Sequence, residues 1–454
     1  MTQKLKFTES KNMTNKLKFI LITALFITSC SEKGTIIVTP DDFHASVDKS
    51  TKIMVHDIFS PPVASRVYVY PNIAAYSIIQ KKSEKYKSLV NFLDNFPQIN
   101  DPVDSNGINY DLSALIAHME ISKQLIFSEY MMTEFRDSLY EKWKNQNKVE
   151  FKKSKDYALK VVDVISEWMN KDNYNQTRTM SKFMVDPSDI QRWQPTPPSY
   201  MDGIEPHWNK IRPFALDSSS QFRPNPPPKF SMDKNSRFYK ELKEVYEITN
   251  KITLLGDESE EIAIAQFWDC NPYVSVTRGH MMFATKKISP GAHWIGITKI
   301  ASLKNNLNLD DTIHAYTKVS IGIADAFISN WDEKYRSNLV RPETLINNYF
   351  DSEWKPILQT PPFPEYTSGH SVVSNASSVI LTNIFGDDFY FEDNTEVEYG
   401  LPIRTFNSFE HAASEAAISR LYGGIHFRSA IEEGVTQGKK IGNQIINKLK
   451  LEGE

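Results

Sequence analysis

Residues 360–370 read Thr360-Pro-Pro-Phe-Pro-Glu-Tyr-Thr-Ser-Gly-His370 and lead into a run of helical character, His370 to Phe385. Ser368 and Gly369 therefore stand at a helix N-terminus, where a hydroxyl and first-turn N–H groups without intrahelical partners suit an anion. Gly369 lets the backbone approach that anion closely, and the His370 imidazole has an ordinary pKa suited to proton transfer near neutrality. Upstream lie Lys334 and Arg341, seven residues apart. On one helix they share a face almost two turns apart and point at one spot, with Pro342 ending or kinking the element. Downstream, Ser419-Arg420 closes a helical run, Gly423-Gly424 breaks it, and His426 opens the next. Taken singly, each pattern is ordinary: a Lys-x6-Arg pair is usually a solvated helix face and a Ser-Gly-His a turn. In this order they describe a pocket for a tetrahedral oxyanion. Lys334, Arg341 and Arg420 neutralise it, and Ser368 and Gly369 donate to its oxygens. His370 and His426 serve as ligand, nucleophile or proton shuttle.

Outward from this segment the chain reads as helices. Apolar residues recur at helical spacing over Leu112–Asn145 and Phe151–Met169, and a helix is expected near Tyr70–Tyr86. Further helices are expected over Arg237–Leu255, Glu258–Trp268, Leu309–Lys334, Ser408–Leu421 and Arg428–Leu449. Strand signals are confined to short runs near Ile36 and Val274. Residues 187–231 are rich in proline, including Pro195-Thr-Pro-Pro198 and Pro224-Asn-Pro-Pro-Pro228, and read as an extended connector wrapping the surface. The expected fold is all-α: two packed helical bundles, with residues 31–230 the N-terminal, mostly helical region and 231–454 the catalytic domain. The site falls in the core of the C-terminal bundle, where facing helices converge side chains.

Composition sets outer limits. The chain has 454 residues, 40% hydrophobic and 24% charged, which is ordinary for a globular protein. A net charge of −4 gives no electrostatic reason to expect nucleic acid as a partner. Two cysteines, Cys30 and Cys270, make no disulfide framework. The stretch from Met13 through Lys16 and Lys18, the apolar run Phe19–Ile27 and Thr28-Ser29-Cys30 resembles a bacterial lipoprotein signal. On that reading residues 1–30 are a signal peptide, translation starts at Met13, and Cys30 is the lipidated residue. The protein is then exported to the periplasm, outer membrane or cell surface, touching the membrane only through this anchor. No other stretch approaches the ~18 apolar residues of a spanning helix.

The triple motif resembles that of the vanadium haloperoxidase and type 2 phosphatidic acid phosphatase superfamily. The likeness is closest to the fungal vanadium chloroperoxidases, through Thr360–His370 and Trp331-Asp-Glu-Lys334, and it spans about Glu260 to Gly442. The resemblance implies vanadate as cofactor, with Lys334, Arg341, Ser368, Gly369 and Arg420 around its oxygens. It makes His426 the axial ligand of the metal and His370 the acid–base, with hydrogen peroxide and halide as substrates and hypohalous acid as product. Trp331 and Phe363 match aromatic positions on the halide side, and Asp269 or Asn271 the place of a polar pocket residue. The superfamily also implies an alternative: a soluble acid phosphatase without cofactor, acting on small phosphate esters. There His426 attacks phosphorus and His370 protonates the leaving alcohol. The superfamily usually places an aspartate four residues past the second histidine to orient it, where this chain has Ala430. Glu433 at i+7 could substitute, although Glu432 and Glu433 at such positions are more often solvated, and a backbone carbonyl would also serve; loss of orientation would leave a non-catalytic oxyanion-binding lipoprotein. A phosphatase needs a strongly activated nucleophile, so Ala430 tilts the reading toward the haloperoxidase. His280, His293 and His411 read as structural, since none has metal-ligand spacing to another His, Cys or carboxylate.

Overall fold

The computed structural model describes residues 34–453 apart from 83, 103, 257–258, 279–280 and 285. The signal-like segment with Cys30, and His280, lie outside the described residues. The N-terminal half holds α1 (Pro40–His56), α2 (Pro61–Ile79), α3 (Tyr110–Leu125), α4 (Glu129–Gln146), α5 (Lys148–Met169) and the single turn α6 (Tyr174–Thr177). The C-terminal half holds α7 (Arg237–Leu255), α8 (Glu260–Phe267), α9 (Pro290–Lys304), α10 (Leu309–Ser337), α11 (Pro342–Tyr349), α12 (Gly369–Phe385), α13 (Phe409–Tyr422) and α14 (Arg428–Lys448). Among the described residues there are also three short 3-10 helices and two antiparallel strand pairs: β1 (Ser275–Arg278) with β2 (Met281–Ala284), and β3 (Phe391–Asp393) with β4 (Arg404–Phe406). The all-α expectation holds.

Capping chemistry sets where the helices start, and it explains most departures from the expected boundaries. The helix expected near Tyr70 starts instead at Pro61, behind Ser60, whose hydroxyl accepts from Val63 N–H. Prolines in a first turn remove an N–H that has no partner there anyway. The run Leu112–Asn145 is two helices, because the chain turns at residues 126–128 to give the N–H groups of Phe127 and Ser128 to Asp57 at 3.2 and 2.9 Å. Thr39 and Asp42 form a capping box that starts α1, so Ile36 is extended chain ahead of a helix rather than a strand. The signal near Val274 is the start of the β1–β2 hairpin. Pro342 does not end a helix; it opens α11. Consequently Lys334 and Arg341 do not share a helix: α10 ends at Ser337, Asn338 turns the chain at φ 46°, and Arg341 caps the next element.

The long helix α10 is buried over nearly its whole length and packs against α2 on one side and α12 and α14 on the other. The two bundles therefore share one helix and one continuous core, running from Ile36 to Leu451. A smaller apolar cluster, with Phe238, Leu242, Leu345, Ile346 and Phe427, sits under α7, α11 and the start of α14. The α12–α14 contact is very close, because α14 presents Gly434, Gly438 and Gly442 at four-residue spacing. A Cβ on Gly438 would lie 2.3 Å from the Val372 carbonyl oxygen.

The proline-rich connector is more than a surface wrap. Trp193, Trp208, Phe214 and Leu216 are buried. The buried Asp325 of α10 accepts the N–H groups of Phe214, Ala215 and Leu216 at 2.8, 2.7 and 3.0 Å. Burial still outweighs those bonds and pushes the Asp325 carboxyl up to about 6. The connector then crosses the 360–370 segment: Ile204 N–H donates to Pro362 O at 3.1 Å, and the Tyr366 hydroxyl donates to Asn225 O.

Candidate active site

Three loops and one helix start meet beside α10. Ser368 caps α12, its hydroxyl oxygen accepting the Ser371 N–H at 3.3 Å, so the first-turn N–H groups of Gly369 and His370 face away from the helix. A Cβ on Gly369 would come 3.3 Å from Asn330 Oδ1, which keeps this turn close to α10. Ser368 N–H is tied to Ala430 O at 3.0 Å, so the first turn of α14 holds this loop and with it the approach to His426.

The cations are fully buried but leave donors free. Arg341 gives Nε to Phe363 O at 2.9 Å and Nη1 to Ile425 O at 2.9 Å, and Nη2 is buried with no partner. Arg420 gives Nη1 to Trp268 O at 2.8 Å, and its Nε is buried with no partner. Burial lowers both guanidinium groups, Arg341 to about 10. Lys334 is different: its Nζ lies 3.1, 3.1 and 2.7 Å from the carbonyl oxygens of Pro364, Glu365 and Thr367, which accounts for all three of its hydrogens. Lys334 thus holds the 364–367 turn and acts on the pocket through its charge. Burial, then Arg341, brings its pKa well below the usual lysine range.

Both histidines are held neutral. His370 Nε2 is buried without a partner, while the ring also bonds the Trp268 main chain. Burial first, then Arg420 and His293, depress its pKa well below 6.5. His426 Nε2 lies 3.1 Å from Arg341 Nη1. A guanidinium only donates, so Nε2 is the bare nitrogen and Nδ1 carries the proton. That Nδ1–H points at Glu365 Oε1, 2.8 Å away, which also accepts the Phe427 N–H at 2.9 Å. Burial pushes Glu365 up to about 8, against the pull of Arg341, the Phe427 N–H and Lys334. Burial, then Arg341, Lys334 and Arg420, keep His426 well below 6.5.

Glu365 is the residue that sequence reasoning missed. It replaces the orientation that Ala430 withholds, and neither of the substitutes weighed from the sequence takes this role: Glu433 bonds Asn225 at 2.9 Å on the exposed face. With His426 oriented, the tilt toward a haloperoxidase drawn from Ala430 also falls away. A signal was present, since Glu365 is the one charge inside the apolar, proline-rich run before Ser368.

A narrow cleft opens above these groups. Its polar side is Asn271, His370, Arg420 and His426, and its apolar side Phe327, Trp331, Phe363 and several prolines. Pro61 of α2 and Pro290 of α9 also line it, so both bundles shape the cleft. Of the two polar candidates, Asn271 lines the cleft, whereas Asp269 is turned to Lys287 at 2.6 Å. Trp331 and Phe363 pack together at 5.0 Å between ring centroids, with Lys334 Nζ 5.0 Å from the Phe363 ring.

Residues 314–452 match the family model of the VCPO second helical-bundle domain. Over 93% of this chain and 99% of the other, the structure superposes on the first bacterial vanadium-dependent iodoperoxidase at 61% sequence identity and a TM-score of 0.90. The chain belongs to the vanadium-dependent haloperoxidases. Holo- and apo-type structures of a bacterial vanadium-dependent chloroperoxidase share the haloperoxidase fold at a TM-score of 0.65 and 17% identity, over 87% and 86% of this chain. That identity supports likeness of fold alone. Comparison with the curated proteins gives no match. As a haloperoxidase the protein is an enzyme, so neither the phosphatase nor the non-catalytic alternative applies. The buried, unpartnered donors of Arg341 and Arg420, with the bare Nε2 atoms of His370 and His426, fit an oxyanion such as vanadate and the proton transfers around it in charge and in hydrogen-bonding sense.

Proposed function

We propose that this haloperoxidase oxidises iodide with hydrogen peroxide, using vanadate held between α10, the 360–370 segment and the α13–α14 turn. The single observation that carries the assignment of the pocket is a set of buried polar atoms without partners, the donors Arg341 Nη2 and Arg420 Nε and the bare His370 Nε2, beside His426 Nε2, with His370, Arg420 and His426 lining one cleft. When bound, vanadate supplies a Lewis-acidic centre that makes a peroxide oxygen open to attack by halide. His426 would offer Nε2 as a nitrogen ligand to the metal, kept bare because Glu365 takes the proton-bearing side of the ring. Arg341, Arg420 and the charge of Lys334 neutralise the oxyanion, and the Ser368 hydroxyl and Gly369 N–H donate to its oxygens. His370, neutral at working pH, takes a proton from incoming peroxide at Nε2 and returns it to the oxygen that leaves as water. The overall balance is peroxide, iodide and one proton giving hypoiodous acid and water.

Iodide as the preferred halide is supported by the 61% identical iodoperoxidase and by the cleft itself. Trp331, Phe363 and Phe327 face the site with polarisable aromatic surface, which suits the largest and softest of the halides. The test is a set of initial rates with iodide, bromide and chloride, with and without orthovanadate. Vanadate-stimulated oxidation of iodide well ahead of bromide, with chloride unreactive, is the expected outcome; equal rates with chloride would overturn the iodide assignment. The lipidation of Cys30 and export to the cell envelope rest on the sequence of residues 13–30, and palmitate labelling of the wild type but not of Cys30→Ser tests them. No helix of the described residues is long and apolar enough to cross a membrane.

A further inference from the structure

Next to the cleft and beside Trp268, three side chains from separate elements turn toward one point: Cys270 after α8, His293 in the first turn of α9, and Glu396 after β3. All are buried. Cys270 Sγ lies 3.4 Å from His293 Nδ1, His293 Nδ1 lies 3.4 Å from Glu396 Oε1, and Cys270 Sγ lies 3.8 Å from Glu396 Oε1. Ligands around a tetrahedral zinc ion, with Zn–S about 2.3 Å and Zn–N or Zn–O about 2.0–2.1 Å, stand about 3.3–3.6 Å apart. The triangle already has nearly those edges.

The other side of the His293 ring repeats the pattern of a ligating histidine. Nε2 lies 2.8 Å from Asp393 Oδ2 and 2.9 Å from Thr395 Oγ1, and Asp393 is fixed in turn by the Thr395 N–H at 3.0 Å. A carboxylate holding the far nitrogen sets the tautomer and aims the near nitrogen's lone pair at the metal. Trp268 stacks on the imidazole at 4.4 Å and 18°, which fixes the ring plane. Sequence spacing hid the cluster, since its members are Cys270, His293 and Glu396 and the nearest two are more than twenty residues apart.

We infer that Cys270, His293 and Glu396 bind a divalent transition metal, zinc by ligand type, with a fourth position open to water and Asp393 orienting His293. Binding forms Sγ–metal, Nδ1–metal and Oε1–metal bonds, and the Cys270 thiol proton, with any proton on His293 Nδ1, leaves to solvent. Thiolate, imidazole and carboxylate together favour zinc over magnesium or calcium. Because Cys270 also lines the catalytic cleft, an ion has a route in, and a bound metal would fix the 268–271 segment that carries the Trp268 carbonyl and Asn271.

The test uses the full chain purified without chelator. Elemental analysis should find about one zinc per chain, and after its removal Co2+ should restore tetrahedral d–d bands with a thiolate-to-cobalt charge-transfer band. Cys270→Ser should lose the charge-transfer band, Glu396→Gln should weaken Co2+ binding by at least ~10-fold, and His426→Ala should keep the band, which separates this site from the vanadate pocket. Folded wild type that carries no zinc and shows no charge-transfer band at saturating Co2+ would overturn the proposal and leave a hydrogen-bonded cluster only. So would a band that survives in Cys270→Ser.

Discussion

Glu365 Oε1 accepts the Nδ1–H of His426 at 2.8 Å, and both groups are buried against Arg341. An orienting carboxylate is thus delivered from the segment that also supplies Ser368, Gly369 and His370, rather than from the helix after His426. The same 364–367 turn is held by the Lys334 ammonium, so the first motif positions the second, and the second orients the histidine of the third.

Glu365→Ala removes the acceptor for Nδ1–H and frees the ring to turn. Vanadate affinity should fall by about 10–100-fold, the usual effect of losing a group that orients a ligating histidine, with Glu365→Gln retaining more. A vanadate titration of the three proteins checks this; equal affinities would mean that Glu365 is a core residue without influence on His426.

His370 acts on protons rather than on affinity. His370→Ala should bind vanadate within a few-fold of wild type and turn over peroxide and iodide at least ~10²-fold more slowly. Weakened vanadate binding with unchanged turnover at saturating vanadate would instead place His370 among the anion's holders.

Gly438 allows α14 to lie on the backbone of α12, and a methyl group there meets the Val372 carbonyl at 2.3 Å. Gly438→Ala should lower stability by about 1–3 kcal/mol in denaturant unfolding. It should also weaken vanadate binding, because the contact sets the distance between Ser368 and Ala430. An unchanged midpoint would show that the helices separate at no cost.

Acid should destabilise the fold through its buried neutral histidines. His118, on α3, is bonded to Ser46 Oγ at 2.8 Å, and burial lowers it to about 3. Its folded pKa lies below the unfolded value near 6.5, so the unfolded chain takes up the proton first as pH falls. The stability it contributes is complete above ~6.5 and is lost by about 1.4 kcal/mol per pH unit down to about 3. Raised carboxyls such as Glu365 and Glu333 work in the opposite sense. Comparing the pH slope of unfolding free energy between wild type and His118→Gln isolates the one proton; identical slopes between pH 6 and 4 would contradict the neutral assignment.

What the sequence disclosed, and what it hid, follows from the range of the interactions. The candidate site residues were legible as a group because several lie at helix ends, where capping residues and glycine mark themselves locally, and the long helices α5, α7 and α14 were legible from their local periodicity. The start of α2 and the opening of α11 were not, because a proline reads as a breaker until its position in the first turn is known. Lys334 and Arg341 come together through the left-handed turn at Asn338 instead of along one helix face, a geometry that depends on the chain reversal and not on helical spacing. Glu365, Asp325 and the Cys270–His293–Glu396 cluster each depend on partners distant in the chain, which no local pattern announces.

The measurement that bears most directly on the anion pocket is a vanadate titration of the purified protein, followed by calorimetry or vanadium NMR, beside His426→Ala. Saturable one-to-one binding by the wild type, lost in His426→Ala while that variant stays folded, is the predicted result. Wild-type affinity in His426→Ala, or no binding by the wild type, would contradict the assignment of the bare Nε2 as the ligand on which the site is built.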